Sequence, residues 1–485
     1  MVNIEANRAE ELEIILKELS SKIVDYVKLA DSPEGSVGKY RDPRELSDSL
    51  KVAVSDKGEG IAGLLESADL LLDNSVVTWH KNFLEKLYAG TNPVGIASDL
   101  LLSVLNTNSH VFTASPALTV IERYIGKTYA GLFGFNGPHA GGLTFPGGSY
   151  SNITSMHMAR SLLHEGTKSK GVYNTKLACF TSSHSHYSIE KAAILLGLGS
   201  ESLFKVNVFE TGEMDVEDLK VQISKAKEQG FTPFYINATA GSTVYGSFDD
   251  FEAIADAAEA NDMWMHIDGS WGANVIFSDK QKHKMKGSHR ANSLTVNPHK
   301  MLGVPCTCSF LLIPNDRQFQ DSNSLQAPYL FHTASDDDDN FDLADGTMGC
   351  GRRADAVKLY LGWQYYGSSG YGQRIDHAFE MTAYLAEKIA KDREFELLST
   401  NPPPCLQTCF FYHPPGLEAT KENNTMATRA IVNRIFAKGK FLVDYSPHPT
   451  KGEFFRVVLN APSVDKESLD SLVEEIKIAG SELFA

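Results

Sequence analysis

Apolar residues change period several times along this chain, and the changes divide it. Leu12, Ile15, Leu16, Leu19, Ile23 and Tyr26 recur every three or four positions with charges between them, which predicts an amphipathic N-terminal helix. A stripe this regular needs cover, from the body of the protein or from a second subunit. Residues 32–56 are polar, carry Gly and Pro, and read as a loop; periodic apolar segments resume near Trp79. In the middle of the chain, short β-rich runs alternate with helical stretches. Residues 177–181, 234–237, 264–267 and 293–296 read as buried strands, and 251–261 reads as an amphipathic helix between two of them. Such alternation predicts an α/β fold, with a mostly parallel central sheet flanked by helices. A Gly/Ser cluster at 367–371 marks a turn ahead of a helix over about 374–391. Pro402, Pro403 and Pro404 break the chain, and 408–412 and 454–459 read as strands. A last helix carries Leu469, Leu472, Val473, Ile476 and Leu483 on one face, with Ser463 as its N-cap. The expected organisation is an N-terminal helical segment (1–78), a large domain (79–375) and a small C-terminal α+β domain (376–485).

Composition narrows the class. The chain has 485 residues, 42% hydrophobic and 22% charged, which is globular and not disordered. Its 45 basic residues against 61 acidic ones give a formal net charge of −16, which disfavours nucleic acid and anionic membranes as general partners. The basic cluster Lys280, Lys282, His283, Lys284, Lys286, His289 and Arg290 has no interleaved aromatics that would suggest base stacking. No apolar run approaches the roughly 20 residues of a membrane span, and the N-terminus lacks a secretory pattern. Six cysteines without metal or redox-pair spacing read as reduced thiols, so a soluble cytoplasmic protein is expected.

Sheets of this kind bind ligands at the C-terminal ends of their strands, and four motifs fall there. Pro146-Gly147-Gly148-Ser149-Tyr150-Ser151 opens a helix over 153–163; glycines and helix-start N–H groups suit an anion, or form a plain turn. His184-Ser185-His186 follows the first strand, and its rings are structural, stack on a planar ligand, or ligate a metal, although no carboxylate completes a metal site. Asp268 closes an apolar strand, as a cap or as partner to a ribose, a metal or a cationic ring nitrogen. Asn297-Pro298-His299-Lys300 closes the next strand, where desolvation of the lysine would make a nucleophilic amine available. An anion cradle, a flat partner, an acid and an amine are together what pyridoxal 5'-phosphate requires.

With these motifs in order, the chain from about Trp79 onward resembles the group II pyridoxal-phosphate decarboxylases of the aspartate-aminotransferase (type I) fold. The glutamate and cysteine sulfinate decarboxylases are the branch it looks most like. The resemblance rests on 106–108, 146–152, 185–188, 239–246, 266–272, 291–300, 350–352 and 454–456. It implies that Lys300 carries the cofactor's aldehyde, that Asp268 keeps its pyridine nitrogen protonated, and that His186 stacks on the ring. It further implies that Tyr150 and Ser151 meet the phosphate, that Asn297 adds a polar contact, and that Thr239 lies near the cofactor's 3-hydroxyl. Ser270, His299 and Cys350 fall in the same matched stretches and join the expected cofactor set. Arg456 would bind a substrate carboxylate, with Lys86 and Tyr88 in the substrate wall. A homodimer with its active site at the interface is also implied, the Cys350 region reaching the partner's cofactor.

Several positions depart from that pattern. The loop before Cys350 lacks the tyrosine that protonates the substrate carbon; ungapped counting puts Asp337 there, within the run 336–339, and Phe341 where a second tyrosine falls. Lys86-Leu87-Tyr88 replaces a Gln-Leu-Ser triplet, Phe112 to Pro116 resembles the aromatic-amino-acid branch, and Gly269-Ser270 replaces a pair of alanines. The expectation is α-decarboxylation of an acidic amino acid to amine and carbon dioxide. The rivals are an aromatic substrate, an aldehyde-forming or carbon–carbon bond-forming reaction, and a homologue without turnover.

Overall fold

The computed structural model describes residues 8–38, 40–53, 56–164, 166–173, 175–325 and 341–484. The run 336–339, with Asp337, lies outside the described residues. Among those described, the strands in chain order are β1 (Phe83–Leu84), β2 (Gly141–Phe145), β3 (Leu177–Ser182), β4 (Leu203–Val206), β5 (Thr232–Thr239) and β6 (Trp264–Gly269). They continue with β7 (Ser293–Val296), β8 (Ser309–Ile313), β9 (Phe395–Leu397), β10 (Gln407–Tyr412), β11 (Leu442–His448) and β12 (Gly452–Val458).

Two compact units form, one from Thr91–Ala386 and Ser399–Gln407, the other from Met1–Gly90, Glu387–Leu398 and Thr408–Ala485. The first holds a seven-stranded sheet in the order β2-β8-β7-β6-β5-β3-β4. From β4 to β7 the neighbours run parallel, while β8 is antiparallel to both β7 and β2. Strands buried on both faces need apolar side chains throughout, and β3, β6, β7 and β8 are buried along their whole length. Helix Gly148–Leu163 lies against β2, β5, β6, β7 and β8, and Met156, Cys179, Phe234, Trp264 and Leu311 share one core. The second unit holds a five-stranded sheet in the order β1-β11-β12-β10-β9.

The expected strands of the first unit all form, within two residues of the expected ends. The segment 32–56 is more ordered than a loop: it contains helix Pro43–Ser49, started by the Asp42 carboxylate, which accepts from Arg44 N at 2.9 Å. Helix Gly60–Asp73 also precedes Trp79, and Lys22 pairs with Asp69 at 2.7 Å between it and the N-terminal helix Arg8–Ala30. The break at 367 is real, but helix lies on both sides: Ala356–Lys391 is interrupted at Gly367, whose φ of 66° suits glycine. Ser463 does not cap the last helix. That helix is Lys466–Phe484, and Asp465 caps it, its carboxylate accepting from Ser468 N at 2.7 Å.

Candidate active site

Parallel alignment brings the C-terminal ends of β3, β5, β6 and β7 to one edge of the large sheet. Register then sets Thr239 beside Asp268, and Asp268 beside Thr295. A turn follows β7, closed by Lys300 N donating to Asn297 O at 3.1 Å, so Lys300 returns to the same edge. A cavity of about 190 Å³ opens there, and His186, Thr239, Asp268, Ser270, Asn297, His299 and Lys300 all line it. The C-terminal ends of four strands, and the turns that leave them, thus deliver these side chains to one place.

Asp268 is 6% exposed and anchored from several sides. Asn152 Nδ2 donates to its Oδ2 at 2.8 Å, and Ser270 N donates to Oδ1 at 3.1 Å. The Asn152 amide orientation follows, because a carboxylate accepts only. Asn152 Oδ1 therefore faces His266 Nε2 at 3.1 Å, which must carry the proton. His266 Nδ1 then accepts from Ser293 Oγ at 2.8 Å, and Ser293 Oγ in turn accepts from Trp264 Nε1 at 2.8 Å. The chain Trp264–Ser293–His266–Asn152 points donors one way, toward Asp268.

Burial by itself would push the Asp268 carboxyl up, but His186, Ser270, His266 and Lys300 together hold it below its ordinary range. Burial pushes His266 down to about 4 and also lowers His186, so near neutral pH both rings are uncharged. Positive charge beside Asp268 is then left to Lys300. Burial lowers that ammonium too, against the pull of Asp268 and Cys306, which makes a free amine more accessible than on an ordinary lysine. His186 Nδ1 accepts from Ser188 N at 3.2 Å, which leaves the proton on Nε2. His299 is tied through Nδ1 to the Cys308 backbone, and burial pushes it down to about 4.

The other anticipated positions fall elsewhere. Tyr150 is 52% exposed and does not line the cavity. Ser151 is buried with its Oγ 2.9 Å from Ser309 Oγ. The helix start meets the cavity through Gly148, Ser149 and Asn152 instead. Cys350 is exposed and outside the cavity lining. His184 stacks on Tyr245 at 5.2 Å and holds no metal cluster; among the described residues no group of three or more His, Cys, Asp or Glu is arranged for one. Phe341 packs on Phe112 at 5.8 Å, with the Arg123 guanidinium 5.4 Å from its ring. The basic cluster meets acids of its own chain, including Lys286–Glu252 at 2.6 Å and Arg290–Asp256 at 2.8 Å. In the second unit, Arg456 is buried and bonded to Asp444, with Glu85 O accepting from its Nη2 at 3.1 Å. Lys86 reaches Glu85 at 3.0 Å and Asp444 at 3.8 Å, and Tyr88 is 40% exposed. Asn152 and His266, which order the acid, stood in matched stretches without a role. Only tertiary contact gives them one.

The cavity fits a phosphorylated, planar, hydroxyl-bearing cofactor. Thr239 Oγ1 and Asn297 Oδ1 are buried there without a hydrogen-bond partner, which would be costly unless a ligand completes them. Gly148 is needed for the cradle, since a Cβ there would lie 2.9 Å from Asn297 Nδ2 and closer still to Ser270 Oγ. Helix Gly148–Leu163 begins at the cavity, and first-turn N–H groups lack intrahelical acceptors and favour an anion.

These features define an enzyme that uses pyridoxal phosphate, on a type I fold. The chain belongs to the pyridoxal-dependent decarboxylase family, whose conserved-domain model matches residues 43–413. It is 45% identical over 477 residues to the L-aspartate decarboxylase dtxS4 of Metarhizium robertsii, covering 94% of this chain and 95% of that one. It is 34% identical over 481 residues to the cysteine sulfinic acid decarboxylase of Mus musculus, covering 97% of each. The crystal structure of mouse CSAD superposes with a TM-score of 0.92 at 32% identity, over 98% of this chain and 99% of that one. The protein is a pyridoxal-phosphate-dependent amino-acid decarboxylase. No helix among the described residues is long and apolar enough to cross a membrane.

Proposed function

We propose that this enzyme removes the α-carboxylate of an acidic amino acid, aspartate, cysteine sulfinate or glutamate, giving the amine and carbon dioxide. The observation that carries the reading is a half-buried amine and a buried, anchored carboxylate lining one cavity, Lys300 and Asp268. The two relatives named for acidic substrates support the choice of substrate class.

Lys300 would hold the cofactor through its side-chain amine, which lines the cavity and is the group there able to carry a proton to and from the substrate. Asp268, kept ionised by its neighbours, would hold a proton on the cofactor's ring nitrogen. His186 would lie against the ring, and Thr239 would face its hydroxyl. Ser149, Ser270 and Asn297, with the helix start at Gly148, would hold the phosphate. His299 and Cys350 belong to the surrounding shell. When bound, the cofactor supplies the electron sink that makes loss of carbon dioxide from Cα possible. Arg456 takes a substrate carboxylate, which orients the bond to be broken. Lys86 and Tyr88 form part of the substrate wall.

The working form in this reading is a homodimer, with 1–78 packed on the partner and the Cys350 region near the partner's site. Exposed apolar residues support it: Val24 (49%) and Leu29 (56%) on the first helix, and Leu101 (51%), Val104 (65%) and Leu105 (55%) at the end of helix Pro93–Leu105. A cytoplasmic location fits the six cysteines, all of them free thiols.

The test is a panel of L-amino acids offered to the cofactor-loaded enzyme, with carbon dioxide, amine, aldehyde and peroxide all measured. Equal amounts of amine and carbon dioxide from an acidic substrate are expected. Turnover of aromatic amino acids only, or aldehyde with peroxide in place of amine, would overturn the reading.

A further inference from the structure

Strands β11 and β12 pair antiparallel with Asp444 directly opposite Arg456, so both side chains project from one face. The guanidinium donates through Nη2 to the Asp444 carboxylate. Strand β1 pairs with β11 through Leu84 and Val443, which carries the next residues, Glu85 and Lys86, alongside. Lys86 Nζ stands 3.0 Å from Glu85 and 3.8 Å from Asp444. The Arg456 side chain is 7% exposed, against 24% for Asp444 and 45% for Lys86. Exposure therefore rises from Arg456 outward.

Two cations and two carboxylates leave this cluster formally neutral. An acidic substrate approaching Arg456 meets a guanidinium that already holds a carboxylate. Seating it beside Asp444 would put two like charges on one cation; seating it in place of Asp444 exchanges one charge-assisted bond for another. Lys86 is close enough to receive the displaced carboxylate. We propose that Asp444 is a built-in competitor for the substrate carboxylate, and that Asp444 and Lys86 together set the enzyme's affinity for acidic substrates. This rests on the reading of Arg456 as the carboxylate-binding residue.

The opposite role, Asp444 as a brace that holds Arg456 in its binding pose, has the opposite sign. The experiment compares wild-type holoenzyme with Asp444→Ala and, should that variant fold poorly, the isosteric Asp444→Asn. It reads KM for whichever of L-aspartate, L-glutamate or L-cysteine sulfinate turns over fastest. It also reads calorimetric Kd for succinate, a dicarboxylate with no amino group to react. Competition predicts that both constants fall, by roughly three- to tenfold for a largely buried charge contact whose partner is still reached by solvent. Lys86→Gln should raise KM in the wild-type background and have a much smaller effect beside Asp444→Ala. Unchanged or raised constants in both Asp444 variants would overturn the proposal while leaving Arg456 in place. Arg456→Gln separates the two claims: if it leaves KM and succinate binding unaltered, the carboxylate-binding reading fails and the competitor falls with it.

Discussion

Two buried carboxylates follow neighbouring strands of the large sheet, and they are held in opposite ways. Asp268, at the end of β6, faces His186, Lys300, Ser270 and Asn152. Asp249, in the connection after β5, is just as buried but meets backbone donors: Met214 N and Thr239 N, each at 2.7 Å. Burial pushes the Asp249 carboxyl up to about 7, its two backbone bonds offsetting only part of that and nearby Glu213 adding to it. Asp268 is equally buried, at 6% exposed, and still lies below its ordinary range. Neutral N–H donors are therefore not enough to keep a deeply buried carboxylate charged in this sheet. The Lys300 ammonium, with oriented donors from Asn152 and Ser270, decides it. Their pH linkages are opposite as well. A depressed carboxyl adds stability that is lost as pH falls through its folded value. A raised one lets stability decline as pH climbs from the unfolded value toward about 7.

The largest effect should come from Asp268→Asn, which keeps the shape and removes the charge. We expect kcat to fall by about 10³-fold or more, since an electrostatic stabiliser is lost where charge develops. A variant within tenfold of wild type, at saturating cofactor, would break the contrast between the two acids. Asn152→Ala comes next. It removes the donor 2.8 Å from Asp268 and leaves His266 Nε2 only the longer contact to Thr295 Oγ1 at 3.3 Å, so about 10- to 100-fold in kcat or cofactor affinity is expected. Equilibrium dialysis against the cofactor, run beside the assay, distinguishes the two routes. The smallest effect on activity should come from Asp249→Asn. Its single acceptor oxygen serves only one of the two N–H donors, costing about 1–3 kcal/mol of stability. The variant should also lose the decline in stability, up to about 1.4 kcal/mol per pH unit, that the wild-type carboxyl contributes between pH about 4 and about 7. Urea midpoints at pH 5 and pH 7.5 read this; an unchanged slope would mean that Asp249 does not titrate there.

Much was legible in the chain itself. Buried parallel strands are rich in apolar and β-branched residues, and short runs of that kind end just before Asp268 and Asn297-Pro298-His299-Lys300, so the sheet and its edge could be read directly. The resemblance carried by those motifs gave the family and the cofactor. Local polarity misled at 32–56, where Asp42 and Pro43 start a short helix within a segment that reads as loop.

Other features were settled by packing alone. Glycines at 147 and 148 signal a tight helix start, yet which of the next side chains faces the cavity depends on the helix phase against β7; that phase turned Ser149 and Asn152 inward and left Tyr150 at the surface. His266 and Ser293 are consecutive in no window of sequence, but register sets them side by side and so fixes the protonation of the network beneath Asp268. Asp444 lies opposite Arg456 for the same reason. The sequence determined the elements and the residue types at their ends, because period and composition act locally. Tertiary structure decided which charges meet, because strand register and desolvation join residues that are far apart in the chain.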